Sequence, residues 1–123
     1  MNRYALVMIG GAVGSLLRFI AATFVSERYA GRFPAGTFSI NVGGSFAIGL
    51  LMAVLTARGA HPNWRYLLVT GFLGGFTTFS SFEYELYMET QLGHNGIAAV
   101  YAVASVAAGF AAVIFGAFIG SRL

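Results

Sequence analysis

The sequence predicts an all-α integral membrane protein with four transmembrane helices. Of its 123 residues, 58% are hydrophobic and only 9% are charged, and the mean hydropathy is +0.77. Soluble proteins average about 25% charged residues. Because a helix needs about 20 apolar residues to cross a bilayer, four crossings occupy most of a single domain, residues 1–123. The predicted spans cover residues 4–25, 36–57, 66–88 and 96–120.

The first span contains one ionised residue, Arg18. A secretory signal peptide is the alternative for this segment, since Arg3 precedes an apolar core. Apolar residues resume after Arg18 and no small-residue cleavage pattern follows, which favours a retained helix. At the rise of about 1.5 Å per residue in an α-helix, Arg18 lies about 10 Å from the end of the span. Its guanidinium therefore either reaches the membrane surface or attracts an anion, and the sequence leaves both roles open.

Three polar connectors, residues 26–35, 58–65 and 91–95, separate the spans and carry turn-forming Pro and Gly residues. Four crossings put both termini on one side of the membrane. Four arginines on that side oppose two on the other, which is a weak orientation bias that permits insertion in both directions. The first group is Arg3, Arg58, Arg65 and Arg122, and the second is Arg28 and Arg32.

Several functional classes are disfavoured. The net charge is +3, but the seven arginines are scattered and form no basic stripe, so no nucleic-acid partner is expected. Cysteine is absent, which excludes disulfides and thiolate metal sites. His61 and His94 fall in loops predicted on opposite sides of the membrane, so they are not expected to bind one metal ion together. No nucleophile–base set is visible, and the chain is not expected to be an enzyme.

The third span contains the stretch least typical of a membrane helix, residues 71–82. Gly71, Gly74 and Gly75 each weaken a helix by about 1 kcal/mol relative to Ala, and the β-branched Thr77 and Thr78 follow. The pattern predicts a helix broken at mid-span. Irregular backbone at membrane depth must be buried in protein, hydrated or bound to an ion, so this break is a candidate ion site.

Small residues recur at four-residue spacing in every span, which allows close packing of helices in lipid. The pairs either pack the four helices of one chain or act both within and between subunits. We favour the second interpretation, because four helices alone cannot enclose an aqueous path. The pairs are Gly10/Gly14, Ser45/Gly49, Gly71/Gly75, Ser105/Gly109 and Gly116/Gly120.

Few polar side chains occur inside the spans. Asn41 either forms an interhelical hydrogen bond or donates to an anion in a pore. Phe76, Phe79 and Phe82 recur at three-residue spacing, so in a continuous helix they would share one face. They either face lipid or core, or present their positive edges to an anion. Glu85, with Glu89, is expected to be a solvated helix-end charge.

The motifs together resemble the CrcB/Fluc fluoride channels. They are Thr-Thr-Phe-Ser-Ser-Phe at residues 77–82 after the glycine pair at 74–75, Asn41 after Gly36-Thr37, and Arg18-Phe19. The likeness covers the whole chain. It implies a fluoride-selective channel in the cell (inner) membrane that passively exports the anion, assembled as an antiparallel, dual-topology homodimer with two pores.

The resemblance also implies roles for individual residues. Carbonyls of Gly74 and Thr77 from both subunits would hold a structural Na⁺ at the helix breaks. The expected pore-lining residues are Arg18, Asn41, Phe79, Ser81, Phe82, Tyr101 and Ser105.

Two positions depart from the family pattern. Ser81 stands where the family often has threonine, which preserves the hydroxyl. Glu83 stands where a small residue is more usual, so its charge raises a question about the conduction rate.

A small dual-topology, proton-coupled multidrug exporter is the alternative function, because size and span count fit it equally. Such exchange needs a carboxylate deep in a helix. The first span has Arg18 in that position instead.

Overall fold

The computed structural model describes residues 1–123 and consists of helices and connecting turns, without β-strands. Three helices, α1, α2 and α6, are long and apolar enough to cross a membrane. The third apolar segment is composite. The elements in chain order are α1 (Arg3–Arg28), α2 (Ala35–Ala57), α3 (Pro62–Trp64), a π-helix (Arg65–Leu73), α4 (Gly74–Phe76), α5 (Ser80–Gln91) and α6 (Asn95–Gly120).

Local chemistry accounts for the ends of the helices. The Asn2 side chain accepts a hydrogen bond from the backbone N–H of Tyr4 at 2.6 Å and so caps α1. At the other end α1 runs to Arg28, three residues beyond the predicted span, and the Arg28 guanidinium lies 3.6 Å from the Phe24 ring centroid. This cation–π contact lies on the exposed surface of the last turn of α1. The connectors are shorter than predicted, with the first at residues 29–34.

The small-residue pairs bring α1 into contact with the third segment. A side chain on Gly10 would collide with the Leu67 carbonyl oxygen, and one on Gly14 with the Phe72 carbonyl oxygen. Further along the two helices, a Cβ on Gly75 would lie 3.1 Å from the backbone nitrogen of Ser15. Higher numbers in α1 thus face higher numbers in the third segment, so these two run parallel.

The helices α2 and α6 pack in the same manner. Gly109 of α6 lies next to Ser45 of α2, and further along both helices Gly120 faces the Leu50 carbonyl oxygen. These contacts make α2 and α6 parallel. Gly36, at the start of α2, faces Ala22 near the end of α1, which makes those two helices antiparallel. The direction alternates from one crossing to the next, and both termini lie at the same end of the bundle.

The third segment departs from the α-helical hydrogen-bonding pattern in two places. Residues Arg65–Leu73 are π-helical, a form that is rare and concentrated at functional sites. After α4 the backbone of Thr77 is extended, with φ −87° and ψ 156°, and helical structure resumes at Ser80. Phe76 therefore stacks on Phe72, with ring centroids 5.8 Å apart, rather than sharing a face with the later phenylalanines.

Replacing Gly14 by Ala tests the close contact between α1 and the third segment. The added methyl meets the Phe72 carbonyl, so we expect a loss of stability of about 1–3 kcal/mol, as for other overpacked sites. Thermal unfolding in detergent measures it. Gly43→Ala is the matched control, because a Cβ at Gly43 meets no atom within 4 Å. Equal midpoints for the two variants would contradict this backbone contact.

Candidate functional site

Asn41 of α2 binds the irregular residues of the third segment. Its amide nitrogen donates to the Thr78 carbonyl oxygen at 2.8 Å, and its carbonyl oxygen accepts from the Thr78 backbone N–H at 2.8 Å. Both backbone polar groups of one residue outside a helix are thereby satisfied by one side chain. Of the two roles open from the sequence, the interhelical hydrogen bond is present. Asn41 also borders an open groove.

Two threonine hydroxyls complete the local bonding. The Thr77 hydroxyl donates to the Leu73 carbonyl oxygen at 2.9 Å, which ties the extended residue back to the preceding helix. The Thr78 hydroxyl accepts from the Ser81 backbone N–H at 3.2 Å at the start of α5. Threonine thus substitutes side-chain oxygen for part of the interrupted backbone ladder.

Arg18 is held by the third segment as well. Its Nε donates to the Gly75 carbonyl oxygen at 2.9 Å in a partly buried contact. Neither sequence-based role anticipated this contact, because both considered the charge and not the backbone carbonyls freed near the interruption. The guanidinium has further N–H donors, and the side chain also lines a second groove.

Two grooves flank the interruption. The first, the interruption groove, has a volume of about 520 Å³ and contains four residues singled out by the sequence, namely Asn41, Gly74, Thr77 and Phe79. The second, the Arg18 groove, has a volume of about 440 Å³ and is lined by Arg18, Ser81 and Glu85 among others. Thr78 lines both. The Asn41–Thr78 pair therefore stands between two open, partly polar spaces.

The two motif phenylalanines differ in exposure. Phe79 is 73% exposed, whereas Phe82 is 7% exposed, and their ring centroids are 6.0 Å apart. Phe82 packs against the fully buried Tyr101, with centroids 4.9 Å apart and ring planes at 81°. Within one chain, Phe79 thus projects outward beside the interruption groove while Phe82 is fixed behind it.

The expectation that Glu85 is a solvated helix-end charge is wrong. Tyr101 donates its hydroxyl to the Glu85 carboxylate at 3.0 Å, and Glu85 lines the Arg18 groove. Position near a helix end did not reveal this contact, since the partner lies on another helix, sixteen residues away. Glu89 likewise contacts His94 at 2.8 Å. Glu83, one of the two departures from the family pattern, is exposed and lines neither groove.

Ser105 lies apart from the other predicted pore residues. It is one helical turn beyond Tyr101 on α6 and lines neither groove. Its hydroxyl oxygen is buried and has no hydrogen-bond partner. A buried polar atom left unpaired is uncommon in folded proteins. The predicted residues therefore form three groups, around the interruption groove, around the Arg18 groove, and along α6.

Phe33 also belongs to this region, although no sequence pattern indicates it. It lies in the first connector, and its ring centroid is 5.3 Å from that of Tyr101. A connector phenylalanine gives no periodic signal of burial. Its neighbour Pro34, the N-cap residue of α2, is the one local signal of defined structure in the segment.

Three long apolar helices, packed against the third apolar segment with hydrogen-bonded polar residues in its middle, are the architecture of a small multi-pass membrane protein. The chain belongs to the CrcB-like family: residues 5–117 match the family described as "CrcB-like protein, Camphor Resistance (CrcB)". It is 49% identical over 121 residues to a "Fluoride-specific ion channel FluC" of Solibacter usitatus, covering 98% of this chain and 99% of that protein.

Two further relatives carry the same description. The protein of Acidobacterium capsulatum is 45% identical over 122 residues, with 98% of each chain covered. The protein of Agrobacterium fabrum is 44% identical over 125 residues, covering all of this chain and 99% of the relative. The similarity thus extends over nearly the whole chain, including the residues that line both grooves.

Replacing Asn41 by Ala tests whether its hydrogen bonds to Thr78 stabilise the interrupted segment. The Thr78 N–H and C=O lose their partners, and a buried unpaired group costs about 1–3 kcal/mol. We expect faster amide hydrogen exchange in a peptide covering residues 77–82, measured by mass spectrometry. Ser39→Ala, at an exposed position of the same helix, is the control and should leave exchange unchanged. Unaltered protection in Asn41→Ala would show that other contacts hold the segment.

Proposed function

We propose that this protein is a fluoride-selective ion channel that passively conducts fluoride out of the cell through the cell membrane, and that it is not an enzyme. Family membership and relatives described as fluoride-specific channels over nearly the whole chain support this function. The observation in this chain that carries the proposal is the grouping of Asn41, Thr77 and Phe79 around one groove at the helix interruption.

A passive pore is sufficient for export. Fluoride enters an acid-exposed cell as neutral HF and is released as the anion in the near-neutral cytoplasm. A membrane potential that is negative inside then drives the anion outward, with about 2.3 kcal/mol per charge for each 100 mV. No coupled energy source is required for this direction of flow.

The residues at the interruption suit a small anion. The Asn41 amide nitrogen has two N–H groups and uses one on Thr78, which leaves one for an ion in the groove. Phenylalanine edges carry partial positive charge and attract an anion without trapping it. Selectivity then arises from a narrow path and dense donors, as in other channel filters.

We further propose that two copies assemble as an antiparallel homodimer with two pores. In one chain the interruption groove is open on one side and Phe79 is 73% exposed beside it. A second copy would cover the groove, so that each pore contains Phe79 of one subunit and Phe82 of the partner subunit. Alternating crossings, with termini at one end, are compatible with insertion in either direction.

The residues near the interruption also fit a structural Na⁺. Gly74 and Thr77 both line the interruption groove, and a Cβ on Gly74 would meet only the Val69 carbonyl oxygen, at 3.9 Å. The backbone at Gly74 is therefore accessible from the interruption groove. Backbone carbonyl oxygens at the interruptions of membrane helices coordinate Na⁺ in other membrane proteins. Two carbonyls from each copy would give four oxygens at a two-fold axis, in keeping with a helix break at mid-membrane.

The alternative of a proton-coupled multidrug exporter gains no support from the site. It would need a free carboxylate deep in the bundle, and Glu85 accepts the hydroxyl of the buried Tyr101 instead. The relatives are described as fluoride-specific channels and not as exporters of organic cations.

The channel function predicts fluoride efflux from loaded liposomes containing the purified protein, followed with a fluoride electrode. Phe79→Ile removes the aromatic edge from an exposed position without disturbing the core, so we expect flux to fall by about tenfold or more, the effect of about 1.4 kcal/mol on a barrier. Dimer assembly should be retained.

Chloride-loaded liposomes serve as the control for selectivity. Phe118→Ile, a change at an exposed residue near the end of α6, should leave fluoride efflux unchanged. Equal rates of fluoride and chloride release, or wild-type flux in Phe79→Ile, would refute the proposed filter.

The Na⁺ site predicts cation-dependent stability. An ion that binds only the assembled protein stabilises it by about 1.4 kcal/mol for each tenfold rise in concentration above its dissociation constant. We expect the thermal midpoint in detergent to rise with Na⁺. A bulky organic cation at matched ionic strength is the control, and identical midpoints in the two salts would argue against the site.

A further inference from the structure

Phe33 anchors the first connector to the interior of the bundle. The residue lies between the end of α1 and the start of α2, in a segment without helical structure. Its ring makes edge-to-face contacts with Phe38 of α2 and Tyr101 of α6, each at a centroid distance of 5.3 Å and with interplanar angles of 78° and 75°. An irregular connector is thus fixed to two helices by one side chain.

The contacts continue from Phe33 to the helix interruption. Tyr101 meets Phe82 at 4.9 Å and 81°, and Phe82 meets Phe79 at 6.0 Å and 56°. Tyr101 is fully buried, and its hydroxyl is bound to Glu85. Its ring is therefore held by three groups, namely the Phe33 ring, the Phe82 ring and the carboxylate bound to its hydroxyl.

The geometry points to Phe33 as a positioning residue for Phe82, acting through the Tyr101 ring. This inference rests on the proposed function, in which Phe82 lines a pore. Edge-to-face contacts are directional, so the orientation of one ring constrains the next. Without the Phe33 ring, the buried Tyr101 gains room to turn about its hydroxyl contact, and the Phe82 edge turns with it. The connector thereby orients the Phe82 ring in the pore, although Phe33 itself does not contact the ion.

Three substitutions test this role in the full-length protein in liposomes. Phe33→Leu keeps apolar volume but removes the ring edge, and should lower fluoride efflux by about twofold to tenfold, the range in rate that corresponds to one edge-to-face pair. Phe33→Tyr preserves the ring and should restore wild-type flux. Phe24→Leu is the control, since Phe24 is an exposed aromatic residue whose ring contacts Arg28 and lies at the same end of the bundle.

A double substitution separates positioning from support of the fold. If Phe33 acts through Phe82, then Phe33→Leu should cause no further loss of flux in a Phe82→Ile background. The thermal midpoint of Phe33→Leu should stay close to that of the wild-type protein, so that the loss of flux is not due to unfolding. Equal fractional losses in both backgrounds, or wild-type flux in Phe33→Leu, would overturn the inference.

A spectroscopic measurement is independent of conduction. With 4-fluorophenylalanine at position 82, the ¹⁹F chemical shift should change in Phe33→Leu and stay constant in Phe24→Leu. An unchanged resonance in Phe33→Leu refutes the positioning role even if the protein conducts fluoride. Absence of fluoride efflux from the wild-type protein, with the shift change present, would refute the proposed function and leave the ring contact established.

Discussion

The reciprocal hydrogen bonds between Asn41 and Thr78 are the interaction on which the rest of the structure depends. An extended residue inside an apolar crossing removes peptide groups from the helical ladder, and hydrocarbon provides no water to replace them. A carboxamide can donate and accept at once, which a carboxylate cannot do. Asn41 uses both functions, each at 2.8 Å. The direction in which the chain leaves Thr78, and therefore the position of Phe79, follows from this pairing.

Close helix contacts make the pairing possible. A side chain on Gly44 would collide with the Thr77 methyl group, so glycine on α2 lets the interrupted segment approach within reach of Asn41. On the opposite side, Gly75 packs against α1, and its carbonyl accepts from Arg18. The irregular backbone is thus held from two helices, and it neither unravels into lipid nor becomes a continuous helix.

Composition and local pattern predicted the class of fold, because four apolar stretches separated by turn residues leave few arrangements in a bilayer. Pattern also identified Asn41 and the residues around Thr77, since polar groups are costly in such stretches. It could not predict the π-helical turns of Arg65–Leu73, a segment that packs closely against α1. It also missed the Glu85–Tyr101 and Phe33–Tyr101 contacts, because each joins residues that no helical period relates.

The exposure of the interruption gives a physical reason for self-association. Thr77, Thr78 and the Asn41 amide border a groove that one chain leaves open. The second N–H of the Asn41 amide is not used on Thr78, and lipid tails offer it no hydrogen-bond partner. In the proposed dimer, a covering copy would bring its own polar groups to the groove and would exclude lipid from Phe79. The polar residues that the proposed ion path needs would then also favour assembly, which links the proposed channel to the proposed dimer.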